Sequence, residues 1–136
     1  MRLRGAIAAV ATVGVVALAA APAHANEPKV FLACAAFTPR AHYCLKTITI
    51  IRGDTVWLRT KVKPPHGGQD VIVQNQNPGR EQWNTFDTLT LSDGGRAKTS
   101  WTTGAGTADT HDPYHFRFKI PNVGISNEVA VWVLPG

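Results

Sequence analysis

Two runs of alternating apolar and polar residues, joined by a short connection, lie between Pro113 and Leu134. Because side chains point alternately to the two faces of a β-strand, each run predicts a strand with one buried and one solvated face. The residues on the two apolar faces are Tyr114, Phe116, Phe118 and Ile120 in the first run, and Val129, Val131 and Val133 in the second. The connection contains proline, asparagine and glycine, which favour turns. We therefore predict the C-terminal hairpin of a β-sandwich.

Shorter runs recur upstream at intervals of roughly 8–14 residues, with turns rich in Gly and Pro between them. They cover Val30–Phe37, Lys46–Ile51, Thr55–Val62, Val71–Gln76, Trp83–Leu91 and Arg96–Thr103. No segment has a convincing helical period. The pattern predicts an all-β sandwich of about seven strands, with a closed barrel as the alternative. Trp83, Phe86 and Leu89 are spaced by three, so we expect a bend in that strand or a strand that changes sheets.

The N-terminus has the pattern of an export signal. Arg2 and Arg4 precede an uncharged run that is rich in Ala and Val, and Ala23 and Ala25 stand where a signal peptidase reads small residues. We predict a signal peptide over residues 1–25, a single mature domain over residues 26–136, and a secreted, extracellular protein. A membrane-anchor helix is the alternative, but the run is short for a span and no basic stop follows it.

The mature chain is mildly basic. Loss of Arg2 and Arg4 leaves 12 Lys and Arg residues against 9 acidic residues, a net charge of about +3. This charge would favour anionic cell-wall polymers or lipid headgroups, although it is thinly spread. No basic run occurs, so nucleic acid is not an expected partner.

Cys34 and Cys44 are the two cysteines of the chain. An even pair in an exported protein is most simply a disulfide, and the two lie symmetrically about Pro39, as partners across a turn would. A metal site that includes His42 would have too few ligands.

From about Thr47 onwards the chain resembles the bacterial immunoglobulin-like domains of exported surface proteins. The segments that carry the resemblance, in order, are Gly53–Leu58, Val71–Gln74, Trp83, Ser92–Arg96, His115–Pro121 and Ser126–Val131. The resemblance implies an immunoglobulin-like β-sandwich over about residues 47–134, to which a disulfide-bridged N-terminal segment is added. It carries no shared catalytic residues and is nearly silent on function.

Outward-facing tryptophans are the best functional lead, since tryptophan in a polar rim marks a contact surface. Trp57 shares its predicted face with Arg59 and Lys61, and Trp132 shares a solvent side with His115, Arg117 and Lys119. The two groups should lie on opposite sheets. Alternatively, the 26–45 segment covers Trp57 and a long Arg stem covers Trp132, or a homodimer forms through the sheet that carries Trp132. Trp83 and Trp101 are predicted to lie in the core or at its rim.

Catalysis is not expected. Ser92, Ser100 and Ser126 lie in turn or strand contexts without a nucleophile elbow, and no converging carboxylate pair can be nominated. No cofactor or metal is predicted, although Asp54, Asp109 and Asp112 would suit calcium if they met, and His111 a transition metal. The spacing of these residues matches no known metal loop.

The sequence therefore favours an exported, non-catalytic binding domain for a cell-surface glycan, an envelope polymer or a protein partner. The alternative is a secreted inhibitor or antimicrobial effector that acts through exposed loops. The candidate loops are Pro64–Gln69 and Gly104–Asp112.

Overall fold

The computed structural model describes residues 28–104 and 111–136, so the predicted signal peptide lies outside the described residues. Within these ranges the chain forms nine strands and no helix, and thus no helix that could cross a membrane. The strands are β1 (Val30–Ala36), β2 (Thr47–Ile51), β3 (Thr55–Lys63), β4 (Asp70–Gln76), β5 (Asn84–Thr90), β6 (Arg96–Thr102), β7 (Tyr114–Ile120), β8 (Gly124–Ile125) and β9 (Val129–Leu134).

The strands form two separate sheets. One has three strands in the order β1-β3-β6, and the other has six in the order β2-β9-β7-β4-β5, with β8 paired to β7. All pairs are antiparallel except β2 and β9, which run parallel. The predicted all-β, immunoglobulin-like β-sandwich is confirmed, with nine strands in the described ranges where about seven were predicted.

The core fills the space between the sheets with side chains that the alternation had assigned to the inner faces. Its fully or almost fully buried members include Val56, Leu58, Val62, Val71, Val73, Phe116, Phe118, Val129 and Val131. Burial of each such side chain contributes about 1.5–3 kcal/mol. Thr60 also points inwards, and it satisfies its hydroxyl by donating to the carbonyl of Leu32 at 2.8 Å.

The C-terminal hairpin is present and is more elaborate than a simple turn. β7 and β9 pair over Tyr114–Phe116 and Val129–Val131, and the short strand β8 folds back on the end of β7. Phe116, Phe118 and Val129 are completely buried, as predicted. The hairpin therefore forms the centre of the six-stranded sheet, where its inner face meets the three-stranded sheet.

The disulfide-bridged N-terminal segment supplies β1, an integral edge strand of the three-stranded sheet. The alanines of β1 are small enough for this position, where Ala33, Ala35 and Ala36 are buried. On the edge of β1 that does not face β3, two residues already have hydrogen-bond partners. The Asn127 side chain bonds the backbone N–H and C=O of Ala33, and the Leu45 backbone bonds the N–H and C=O of Ala35. An unpaired strand edge invites further pairing, and these contacts remove that opening.

The bend expected near Trp83 occurs as a β-bulge. Gln74 pairs with Thr85 and Val73 with Asp87, so Phe86 is the extra residue of β5 and turns towards the core. The strand stays in one sheet. Trp83 precedes it and lies on the outer side, as described below.

Candidate functional site

The outer face of the six-stranded sheet carries Trp132, His115, Arg117 and Lys119, but it does not bring them into one cluster. Trp132 lies next to Thr49 of β2, near the end of the sheet that is farthest from Lys119. Lys119 lies four residues beyond His115, about 13 Å along β7. The predicted group is therefore spread along the sheet.

Two residues of this group, Arg117 and His115, already interact with other side chains of the protein. The Arg117 Nε donates to the Gln74 side-chain oxygen at 2.8 Å, and its guanidinium carbon lies 4.0 Å above the centre of the Trp83 ring. The Nδ1 of His115 is 3.3 Å from a carboxylate oxygen of Glu128, a contact that is an ion pair when the imidazole is protonated. Both side chains would have to leave a partner in order to bind a ligand.

The stacking with Arg117 also corrects the prediction for Trp83, which is not a core residue. A cation over an aromatic face is a stabilising arrangement, and here it covers the ring on the solvent side of the sheet. Trp101, by contrast, lies in the core rim as predicted, with ring centres 4.8 Å from Tyr114 and 5.1 Å from Phe116.

The outer face of the three-stranded sheet brings Trp57, Arg59 and Lys61 into a row along β3. The strand register adds residues on either side. Across β3 and β6, Trp57 lies opposite Ser100, Arg59 opposite Lys98, and Lys61 opposite Arg96. Residues directly opposite in an antiparallel pair share a face, so four cations occupy a compact area, which we call the basic face: Arg59, Lys61, Arg96 and Lys98.

Sequence reasoning missed Arg96 and Lys98. Their spacing of two residues was the available signal, because it places both on one side of a strand. The spacing does not show which strand pairs with the strand that carries them. The pairing of β6 with β3 is what places Lys98 opposite Arg59 and Arg96 opposite Lys61.

The disulfide loop anchors one side of this face. The predicted bond between Cys34 and Cys44 is present, with 5.2 Å between the two Cα atoms. Arg59 points towards the loop, and its Nη2 donates to the carbonyls of Ala41 at 3.0 Å and Tyr43 at 2.6 Å. These bonds hold the guanidinium in a defined position, and no carboxylate of residues 28–104 or 111–136 forms an ion pair with it.

Replacing both Cys34 and Cys44 with serine is expected to lower the free energy of unfolding by about 2–3 kcal/mol, since the ten-residue separation closes a short loop. Urea unfolding monitored by tryptophan fluorescence would measure the loss. Wild-type protein treated with a reductant should show the same shift as the double variant. Equal stability of the oxidised and reduced proteins would contradict the prediction.

A pocket of about 370 Å³ opens beside the loop. Its lining residues are Pro39, Arg59, Thr60, Ser92, Arg96, Ala97 and Lys98. Three of them are cations, and within the described residues no ion pair involves any of the three. The strands β1, β3 and β6 contain no Asp or Glu. The arrangement is chemically suited to an anion.

The other predicted features lie elsewhere or outside the described residues. Asp109 falls in the undescribed part of the 104–112 loop, and a carboxylate oxygen of Asp54 accepts the Ile51 N–H at 3.1 Å. In the described ranges no three His, Cys, Asp or Glu side chains converge as metal ligands. The Pro64–Gln69 loop is tied to its surroundings by backbone bonds between Gly68 and Leu91 and between Leu91 and Gln69.

Comparisons with known proteins add little to this geometry. No protein-family model and no curated protein sequence matches the chain. Among the solved structures that do match is a Niemann-Pick type C2 protein from Japanese carpenter ant. It is 11% identical over 79% of this chain and 92% of that chain, with a TM-score of 0.45. We draw no conclusion about ligand or activity from a similarity of this extent.

Proposed function

We propose that the protein is an exported, non-catalytic binding domain that contacts an envelope polymer or a cell-surface glycan with the outer face of its three-stranded sheet. The observation that carries the proposal is the register of β3 and β6, which sets Arg59 against Lys98 and Lys61 against Arg96. Like charges directly opposite on a sheet are unfavourable, by a few tenths of a kcal/mol up to about 1 kcal/mol per pair. A negatively charged ligand would relieve that repulsion.

Neighbouring side chains support a polymer or sugar ligand on this face. Trp57 is half-buried beside Arg59, so part of its ring remains accessible for stacking. An aromatic plane next to cations suits a sugar ring that carries an acidic group. The binding residues of this proposal are Trp57, Arg59 and Lys61, together with Arg96 and Lys98.

The other predicted surface is the weaker candidate. Arg117 already stacks on Trp83 and bonds Gln74, and His115 lies against Glu128. Trp132 is 37% exposed, and the exposed apolar side chains near it on this face are Leu134, two residues further along β9, and Ile51, which pairs with Leu134. Binding there would require an apolar partner instead of a charged polymer.

The exported setting agrees with this role. The signal pattern over residues 1–25 and the disulfide both fit an oxidising compartment outside the cytosol. The mature charge of about +3 favours acidic envelope components.

Charge reversal of Lys61 tests the proposal. Lys61→Glu is expected to weaken binding of the mature protein to an insoluble envelope fraction at least tenfold, because it places a negative charge at the centre of the basic face. Arg80→Glu, in the turn after β4 of the other sheet, makes the same charge change and should bind as the wild type does. Co-sedimentation at physiological salt would measure both.

The assay distinguishes binding through the three-stranded sheet from binding through the six-stranded sheet. Unchanged binding by Lys61→Glu, together with lost binding by Trp132→Ala, would overturn the proposal and assign the contact surface to the six-stranded sheet. Thermal melts followed by circular dichroism would confirm that both variants remain folded, since both side chains reach the surface.

A further inference from the structure

The pocket beside the disulfide loop gathers more hydrogen-bond donors than a carboxylate can use. Arg59, Arg96 and Lys98 line it, and a guanidinium offers five N–H donors and an ammonium three. Ser92 adds a hydroxyl whose oxygen already accepts the Arg96 backbone N–H at 3.1 Å, so its hydrogen remains to be donated. A carboxylate presents two oxygens in one plane, whereas a phosphate group arranges four oxygens tetrahedrally, of which two are non-bridging inside a chain and three at a terminus.

The state of Arg59 points to an anion as well. Its Nη2 is held by the loop carbonyls, while its Nε is buried and has no hydrogen-bond partner among the described residues. A buried donor without an acceptor is destabilising. The buried Nε is out of reach of a ligand in this conformation, so an oxyanion would be bound by the remainder of the guanidinium, with charge-assisted bonds that are stronger than neutral ones.

The cations continue beyond the pocket in a regular row. Arg59, Lys61 and Lys63 alternate along β3 on the outer face, about 6.6 Å apart. A single small anion would engage only the pocket, but a flexible chain with a charge on each repeat can contact successive cations. With no acidic residue in β1, β3 or β6, nothing in these strands repels such a chain.

From these observations we infer that the basic face recognises a phosphate-bearing polymer, with one phosphate group in the pocket between Arg59, Arg96 and Lys98 and further groups along β3. The inference rests on the proposed function and names the chemistry of its ligand. Pro39 and the disulfide loop form the wall that closes the pocket on one side.

The test uses long-chain inorganic polyphosphate as the probe, with polyglutamate as a carboxylate polymer, heparin as a sulfated polymer and orthophosphate as the single anion. The mature protein is expected to bind polyphosphate at least tenfold more tightly than either other polymer, and orthophosphate at least a hundredfold more weakly. The Arg96→Ala/Lys98→Ala double variant should lose at least tenfold in polyphosphate affinity, and Arg80→Ala less than twofold.

Salt dependence gives a second readout that altered folding would not mimic. The logarithm of the affinity falls with the logarithm of the salt concentration in proportion to the number of cation–phosphate contacts, so Lys98→Gln alone should reduce the slope by about one. Lys98 is exposed, and this single variant keeps the test valid if the double variant does not fold.

The outcomes separate the two proposals. Equal or tighter binding of polyglutamate or heparin would overturn the phosphate inference, while envelope binding that depends on Lys61 would still stand. An unchanged salt slope in Lys98→Gln would likewise overturn it. Failure of Lys61→Glu to affect envelope binding would instead remove the proposed function itself.

Discussion

Phe116→Ala is expected to lower the free energy of unfolding by about 3–5 kcal/mol, the range for truncating a buried phenylalanine. The side chain is completely buried in β7, and its ring centre lies 6.0 Å from that of Phe86 and 5.1 Å from that of Trp101. Removing it leaves a cavity between the sheets that neighbours on paired strands cannot fill. Since single domains are stable by only about 5–15 kcal/mol, the variant should approach unfolding at physiological temperature.

Urea unfolding of the variant, with Leu134→Ala as the matched control, would measure this effect. Leu134 is also an apolar residue of the six-stranded sheet, but it is 50% exposed on the outer face. Its truncation should change the stability by less than about 0.5 kcal/mol. A Phe116→Ala loss below about 1 kcal/mol would contradict the placement of the core between the two sheets.

Gly95→Ala is expected to destabilise the fold by roughly 3 kcal/mol or more, for two separate reasons. Gly95 has a φ of 76°, a conformation that is unfavourable for other residues by about 1–2 kcal/mol. In addition, a Cβ there would overlap the carbonyl oxygen of Val62 and lie 2.7 Å from the Cα of Pro65. Both are backbone atoms, so neither can move aside without disturbing the end of β3.

Gly68→Ala separates these two contributions. Gly68 has a similar φ of 83°, but a Cβ at this position would meet nothing within 4 Å. Gly68→Ala should therefore lower the free energy of unfolding only by the cost of the backbone conformation, about 1–2 kcal/mol. Thermal or urea unfolding of both variants gives the difference, which measures the steric term. Equal losses for the two variants would show that the close approach of the Ser92–Arg96 turn to β3 does not matter.

Alternation alone was enough to predict which residues the sandwich buries. In β7 and β9 every second residue is apolar and fills the core, and β3 follows the same pattern except at the inward-facing Thr60. The disulfide could also be predicted from the sequence, because Cys34 and Cys44 flank a turn in a chain with the pattern of an export signal. Both inferences depend on residues that are close in sequence, and local spacing carries that information.

The candidate site depends instead on contacts between distant residues. Arg59 and Lys98 face each other only because β3 pairs with β6, whereas the two strands between them in sequence, β4 and β5, belong to the other sheet. Trp83 was misplaced for the same reason, since Arg117 covers it from a strand 34 residues further along. The residue pattern near Arg59 does not indicate Lys98 as its partner, and the pattern near Trp83 does not indicate Arg117.

The closed edge of β1 bears on the kind of partner that the three-stranded sheet can accept. Proteins often capture an extended peptide by adding it as a further strand, with main-chain bonds as the source of affinity. At β1 those backbone positions are already filled, by the Asn127 amide on Ala33 and by Leu45 on Ala35. At these positions of β1, a ligand must therefore lie across the outer face and interact through side chains. Recognition there would follow the spacing of charges and tolerate variation in the chain that carries them.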